Sequence, residues 1–186
     1  MNTAKNQVSI VIGSWGSYNN CNDRALGSKW LNLSDYSDWD EIVAELENQG
    51  FELDGIDEES FIQDIEGLPS DCTNWDYMSP QKLFETLQEA EVLDDSHNYE
   101  TMLAFIEVRC FSDFEQLVKS RGSRWTDDIY LYKGYDWDDY GREKFDDYEK
   151  QIDDRLSDFF DFERYGRYVG SDYADEYSGG IVEIID

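Results

Sequence analysis

The chain is short of positive charge, histidine, cysteine and long apolar runs, and each shortage removes a class of function. Against 44 Asp and Glu stand only 15 Lys and Arg, a formal charge of −29 over 186 residues. Such a surface repels DNA, RNA and anionic membranes, so neither a direct nucleic-acid ligand nor a membrane is expected as a partner. No apolar run approaches the roughly 18–20 residues of a membrane span. The N-terminus carries one Lys and no apolar signal region, which sets a cytoplasmic location as the expectation. Cys21, Cys72 and Cys110 are widely spaced and form no CxxC pair, so reduced structural thiols are expected. The single histidine, His97, lies in the run Asp94-Asp95-Ser96-His97-Asn98, which reads as a solvated loop before a helix. A His-based metal site, or a Ser–His or Cys–His pair, would have to use it. There is no P-loop, GxGxxG, HExxH or GxSxG. Among so many acids a pair of carboxylates carries no catalytic signal. The expectation is a protein without cofactor, metal or catalytic residues, and not an enzyme.

What is present argues for a folded chain. Hydrophobic residues make up 40% and aromatic ones 16%, with 6 Trp, 13 Tyr and 10 Phe. Disordered acidic tails lack these rings. Val8, Ile10 and Ile12 suggest an opening strand, and Gly13 to Asn20 (GSWGSYNN) reads as a turn. Trp30, Leu31 and Leu33 suggest a second strand. Ser37 with Asp40 resembles a capping box, followed by Trp39, Ile42, Val43 and Leu46 at helical spacing and Gly50 at the exit. Phe61 to Ile65 reads as a third strand. The middle reads as helical: Ser79-Pro80 opens one helix, Met102 to Ile106 marks a second, and Ser112 with Glu115 caps a third that Gly122 closes. Ile129 to Lys133 then reads as a strand, polar helices fill roughly 138–173, and Ile181 to Ile185 makes a final strand. The fold class is therefore α+β. The expected organisation is an elongated chain of three small domains: an N-terminal α/β domain over 1–66, a central helical domain over 67–123, and a C-terminal α/β domain over 124–186.

The charge is patterned. From Trp30 to Gln81 there is no Lys or Arg, but there are 15 Asp and Glu. Asp38, Glu41 and Glu45 fall three and four apart and share one helix face, with Asp40 and Glu47 to its side. Like charges so spaced cost a few tenths of a kcal/mol per pair. Duplex DNA carries about one negative charge per 1.7 Å of axis, so 29 charges match roughly 50 Å of duplex, or about 15 base pairs. Two plainer readings stand beside this one: a solvated acidic face, and a salt-adapted protein. A calcium loop at Asp136-Asp138-Tyr140-Gly141 is poorly supported, because Tyr140 and Asp147 fall where an EF-hand needs an oxygen ligand and a bidentate Glu.

Four segments, in order, resemble the ArdA-type antirestriction proteins of conjugative plasmids, transposons and phages. They are Tyr18-Asn19-Asn20; Lys29 to Asp38 (KWLNLSDYSD); Phe61 to Pro69 (FIQDIEGLP); and Phe159 to Arg167 (FFDFERYGR), which resembles the family's antirestriction motif. The resemblance implies a bacterial homodimer, joined through its C-terminal unit, whose acidic strip imitates bent duplex DNA. That strip would occupy the DNA-binding groove of a type I restriction–modification enzyme and protect incoming mobile DNA. With the charge pattern, it assigns the mimic surface to Asp35, Asp38, Asp40, Glu41, Glu45, Glu47, Asp57, Glu58, Glu59, Asp64, Glu66, Asp138, Asp139, Asp153 and Asp154. It assigns the motif and dimer contact to Asp158, Phe159, Phe160, Asp161, Phe162, Glu163, Tyr165 and Gly166. A half-buried amphipathic helix is the plainer reading of that last segment. The alternative functions are an acidic adaptor or inhibitor of another basic DNA-binding protein, or a calcium-binding acidic protein.

Overall fold

The structure is a computed structural model, and it describes residues 8–69, 72–147 and 159–185. Among them it is mixed α+β, with seven α-helices and two three-stranded antiparallel sheets. Strand β1 (Ser9–Ser14) is central to the first sheet, between β2 (Leu31–Asn32) and β3 (Ser60–Glu66). Its apolar run is continuous because both faces are covered: Ile10 and Ile12 are fully buried, and Val11 is 7% exposed. The β1–β3 register, Ser9 opposite Glu66, shifts between Val11 and Ile12 in a bulge.

Where turn residues led to the expectation of a loop, a short helix α1 (Trp15–Asn20) follows β1 directly. Ser14 supplies the cap, its Oγ accepting from the Ser17 amide at 3.2 Å, so one of the turn formers starts a helix instead. Helix α2 (Trp39–Asn48) begins one residue later than the Ser37 reading. Asp38 is the cap, its Oδ1 accepting from Glu41 N at 3.0 Å, while Glu41 Oε2 reaches back to Ser37 N at 2.8 Å. Gly50 leaves the helix at φ +90°, a conformation that favours glycine.

Helices α3 (Pro80–Glu89), α4 (Ser96–Val108) and α5 (Phe111–Arg121) form the middle. His97 lies in the first turn of α4, which Asp95 caps, rather than in a preceding loop, and it is exposed. Ser112 does not cap α5; the helix starts after Cys110, placing Ser112 inside its first turn. The second sheet has the order β4–β6–β5, with β4 at Ile129–Lys133, β5 at Ala174–Tyr177 and β6 at Gly180–Ile184. Strand β5 falls between the helices expected to end near 173 and the final strand, in a stretch to which the sequence pattern assigns no element. Helices α6 (Trp137–Asp147) and α7 (Phe162–Val169) complete the described elements.

The main apolar cluster draws on the whole chain. It runs from Val8, Ile10 and Ile12 through Leu83, Phe84, Phe105 and Trp125 to Val182 and Ile184. Trp125 is fully buried, and its Nε1 donates to Ala90 O at 3.0 Å. A second cluster joins Trp137, Tyr140, Ala174 and Ile181.

Candidate acidic interface

Helix α2 sets a group of carboxylates on a rigid base. Ile42 and Leu46 are buried to 0% and 1% exposure, each burial favouring the docked helix by about 2 kcal/mol. Helical geometry then turns Asp38, Asp40, Glu41 and Glu47 outward, all exposed, with Glu45 half-buried. The first three sit where the helix dipole favours negative charge; Glu47 sits at the opposite end, where it does not, and no base occupies that last turn. Glu45 Oε1 accepts from Gln49 Nε2 at 2.8 Å. The field is felt nearby: burial first, then the charges of Glu45 and Asp35, push the Tyr36 phenol above its ordinary pKa.

Nine basic residues among the described ones pair with carboxylates outside α2. Arg24 pairs with Asp57 and Glu52, Lys82 with Glu115, Arg109 with Asp175, Arg121 with Asp128 and Arg124 with Asp127. Lys133 pairs with Glu100, Arg142 with Asp138, Lys144 with Glu183 and Arg167 with Glu163. None of these pairs involves a carboxylate of α2. Exposed pairs like most of these contribute little stability, but each removes a cation from the displayed surface.

The other expected surface acids divide. Asp35, Glu58, Glu59, Asp64 and Glu66 are exposed, the last two alternating outward along β3. Asp139 is exposed, whereas Asp138 is half-buried and paired with Arg142 at 2.6 Å, four residues on. The backbone amides of both donate to Asp136 Oδ1, at 2.9 and 3.0 Å, so the Asp136 carboxylate holds the helix start. The run 136–147 that resembled the start of a calcium loop is almost entirely helix α6. Asp153, Asp154 and Asp158 lie outside the described residues.

Asp57 does not belong to the outward set. Its side chain is fully buried, accepting from Ser17 Oγ, from Arg24 Nε at 2.9 Å and from the Glu52 amide at 2.8 Å. Burial alone would raise its pKa. The bonds from the Glu52 amide, Ser17 and Ser14, with the Arg24 charge, outweigh it and hold the carboxyl below its ordinary range. An isolated buried carboxylate is costly, so this one is tied to several donors and clamps the 52–59 loop to α1.

The motif segment divides between core and surface. Asp161 caps α7, accepting from Arg164 N at 2.9 Å. Phe162 and Gly166 are buried, Phe160 and Tyr165 half-buried, and Phe159, Asp161, Glu163, Arg164 and Arg167 are exposed, Phe159 to 85%. Phe160, Phe162 and Tyr165 surround Phe145 of α6 at centroid distances of 5.0, 5.7 and 5.5 Å. Gly166 and Gly141 let the two backbones touch: a Cβ on Gly141 would lie 2.0 Å from Phe162 O, and one on Gly166 2.4 Å from Trp137 O.

A second buried network went unread in the sequence. Glu183, 3% exposed, pairs with Lys144 at 2.8 Å and accepts from the hydroxyls of Tyr132, at 3.1 Å, and Tyr140. Burial and the bond to Glu183 drive the Tyr140 phenol far up. Burial would lower the Lys144 pKa, but its bonds to Glu183 and Tyr132 hold the ammonium above its ordinary value. Its members lie as far as 51 residues apart, a separation that leaves no local signal.

Among the described residues no three His, Cys, Asp or Glu side chains come together as a cation site, and no helix is long and apolar enough to cross a membrane. The protein-family model described as Antirestriction protein (ArdA) matches residues 10–183 of the chain. A comparison with curated proteins found no match.

Proposed function

The chain belongs to the ArdA antirestriction family, and from that premise we propose that it works by imitating the charge of duplex DNA. Its partner is the DNA-binding groove of a type I restriction–modification enzyme, which it occupies in place of incoming mobile DNA. The observation that carries this reading is the outward face of α2. Five carboxylates stand there on a buried apolar base, while nine cations of the described residues pair with carboxylates elsewhere. Carboxylate oxygens present the same kind of acceptor that groove Arg and Lys use on phosphate. Association is then fast, competitive with duplex, and strongly weakened by salt. No chemical step is required of the protein. In this reading it acts in the bacterial cytoplasm as a homodimer, with three units in line extending the acidic strip.

The test is the plating of unmodified phage on cells that carry a type I restriction system, with and without the protein. Expression should raise plating by at least an order of magnitude. In the purified system, duplex should displace the protein, and log Kd should rise with log salt. Plating that stays at the restricted level against several type I families would sink the proposal and leave the acidic adaptor in its place.

A further inference from the structure

The N-terminal unit exposes an aromatic tip that charge imitation does not use. Trp15 stacks one ring face on Phe61, with centroids 4.1 Å apart and planes at 21°, and Tyr18 meets its edge at 6.1 Å. Yet Trp15 is 38% exposed, Tyr18 55% and the neighbouring Ile56 38%. Apolar surface gathered in this way marks a contact more often than isolated exposed residues do.

The tip is held in place. Trp15 N donates to Glu59 O at 3.0 Å, and Gly16 lies so close to the 52–59 loop that a Cβ would fall 1.8 Å from Ile56 O. Buried Asp57 ties Ser17, Arg24 and the Glu52 amide together beneath it. A patch fixed in advance loses little freedom on binding. Its rim is acidic: Asp54, Glu58 and Glu59 flank Ile56 in the chain, and all are exposed. Arg24 is engaged by Asp57.

We infer that this tip is an anchor for a protein surface that presents arginine, which on the proposed function is the wall of the enzyme's DNA groove. A guanidinium is planar and weakly hydrated. It stacks on the open face of an indole or phenol while its N–H groups reach the rim carboxylates. Ammonium groups are held less well by such a surface. The tip therefore adds a part of the affinity that salt screens little, and it favours arginine over lysine.

The experiment measures the affinity of the full chain for a purified type I enzyme across a salt series. Trp15→Ala and Tyr18→Ala should each weaken binding about fivefold to thirtyfold, the range expected for a desolvated cation–π contact, at an unchanged salt slope. Trp15→Phe should recover most of the loss. The triple variant Asp38→Asn, Glu41→Gln, Glu45→Gln should instead flatten the slope. Circular dichroism and thermal melts check that each variant folds. Wild-type affinity in both alanine variants, with the triple variant weakened, overturns the anchor and leaves charge imitation standing. If the enzyme does not bind the chain at all, nona-arginine and nona-lysine peptides read the tip directly. A wild-type preference for arginine that Trp15→Ala abolishes supports the anchor, and no preference overturns it. A Trp15→Ala variant that loses only self-association, seen by sedimentation, assigns the patch to a second copy and also overturns it.

Discussion

Helix α2 and the sheet β4–β6–β5 use the same residue type in opposite ways. On α2, five carboxylates face water or its margin, and no cation pairs with them among the described ion pairs. In the sheet, the carboxylate of Glu183 on β6 is 3% exposed and is answered by one ammonium and two hydroxyls. Desolvation explains the difference. A buried charge must be matched by donors, whereas an exposed one is stabilised by water and can be left for a partner. An acidic residue in this chain therefore contributes either to the fold or to the surface according to burial, and composition alone does not distinguish the two.

The largest test of that division is Glu183→Leu. It leaves the Lys144 ammonium buried without its partner, and the cost should be about 3–5 kcal/mol in urea unfolding. The double variant Glu183→Leu, Lys144→Met should recover much of it, because no charge is then stranded. A loss under 1 kcal/mol in the single variant would place Glu183 with the surface acids after all.

Gly166→Ala comes next. Its Cβ would meet the Trp137 carbonyl at 2.4 Å, so α6 and α7 must separate, at a cost of about 2–3 kcal/mol. Thermal unfolding measures it, and the Phe145 cluster should loosen in parallel. Of the family-like motif, this is the residue with the clearest role inside the fold.

Asp57 stands between the two regions in sequence terms: it follows the acidic loop of the surface but behaves like Glu183. Asp57→Asn should destabilise by about 2 kcal/mol at neutral pH, since a charge-assisted network becomes neutral. The sign of the pH dependence follows from the depressed folded pKa. The stabilisation is complete above the unfolded value, about 3.9, and is lost as pH falls through the folded one. The gap between wild type and variant should thus be constant near pH 7 and close below about pH 4. A gap that widened on acidification would contradict the clamp.

These residues also show what the sequence could and could not reveal. Apolar spacing located β1, β3, β4, β6 and helices α2 to α5, because each buries a periodic face in the shared core. Helix α1 was hidden by its composition: Ser14, Gly16 and Ser17 are turn formers, and only a cap and a close approach to Ile56 turn them into a helix. Strand β5 reads Ala-Asp-Glu-Tyr and has no β-branched residue; its pairing with β6 supplies what propensity does not. The α2 surface was legible because three- and four-residue spacing fixes a helix face. Asp57 was not, since nothing local separates it from Glu58 and Glu59. Its partners Ser17 and Arg24 lie 40 and 33 residues away.

The smallest expected effect is the one that isolates the α2 surface from the fold. Asp38→Asn keeps the helix cap, because asparagine caps as well as aspartate, and removes only charge. Stability should stay within about 0.5 kcal/mol of wild type. Binding to the restriction enzyme should weaken by no more than about threefold, since each exposed pair is screened and many share the contact. The triple neutralisation of Asp38, Glu41 and Glu45 should then exceed three times the single effect on a free-energy scale only if the carboxylates act together on the same groove cations. If Asp38→Asn alone abolished binding at unchanged stability, the acids of α2 would form a discrete site like that of Glu183, and the contrast between a displayed field and a matched buried charge would fail at its exposed end.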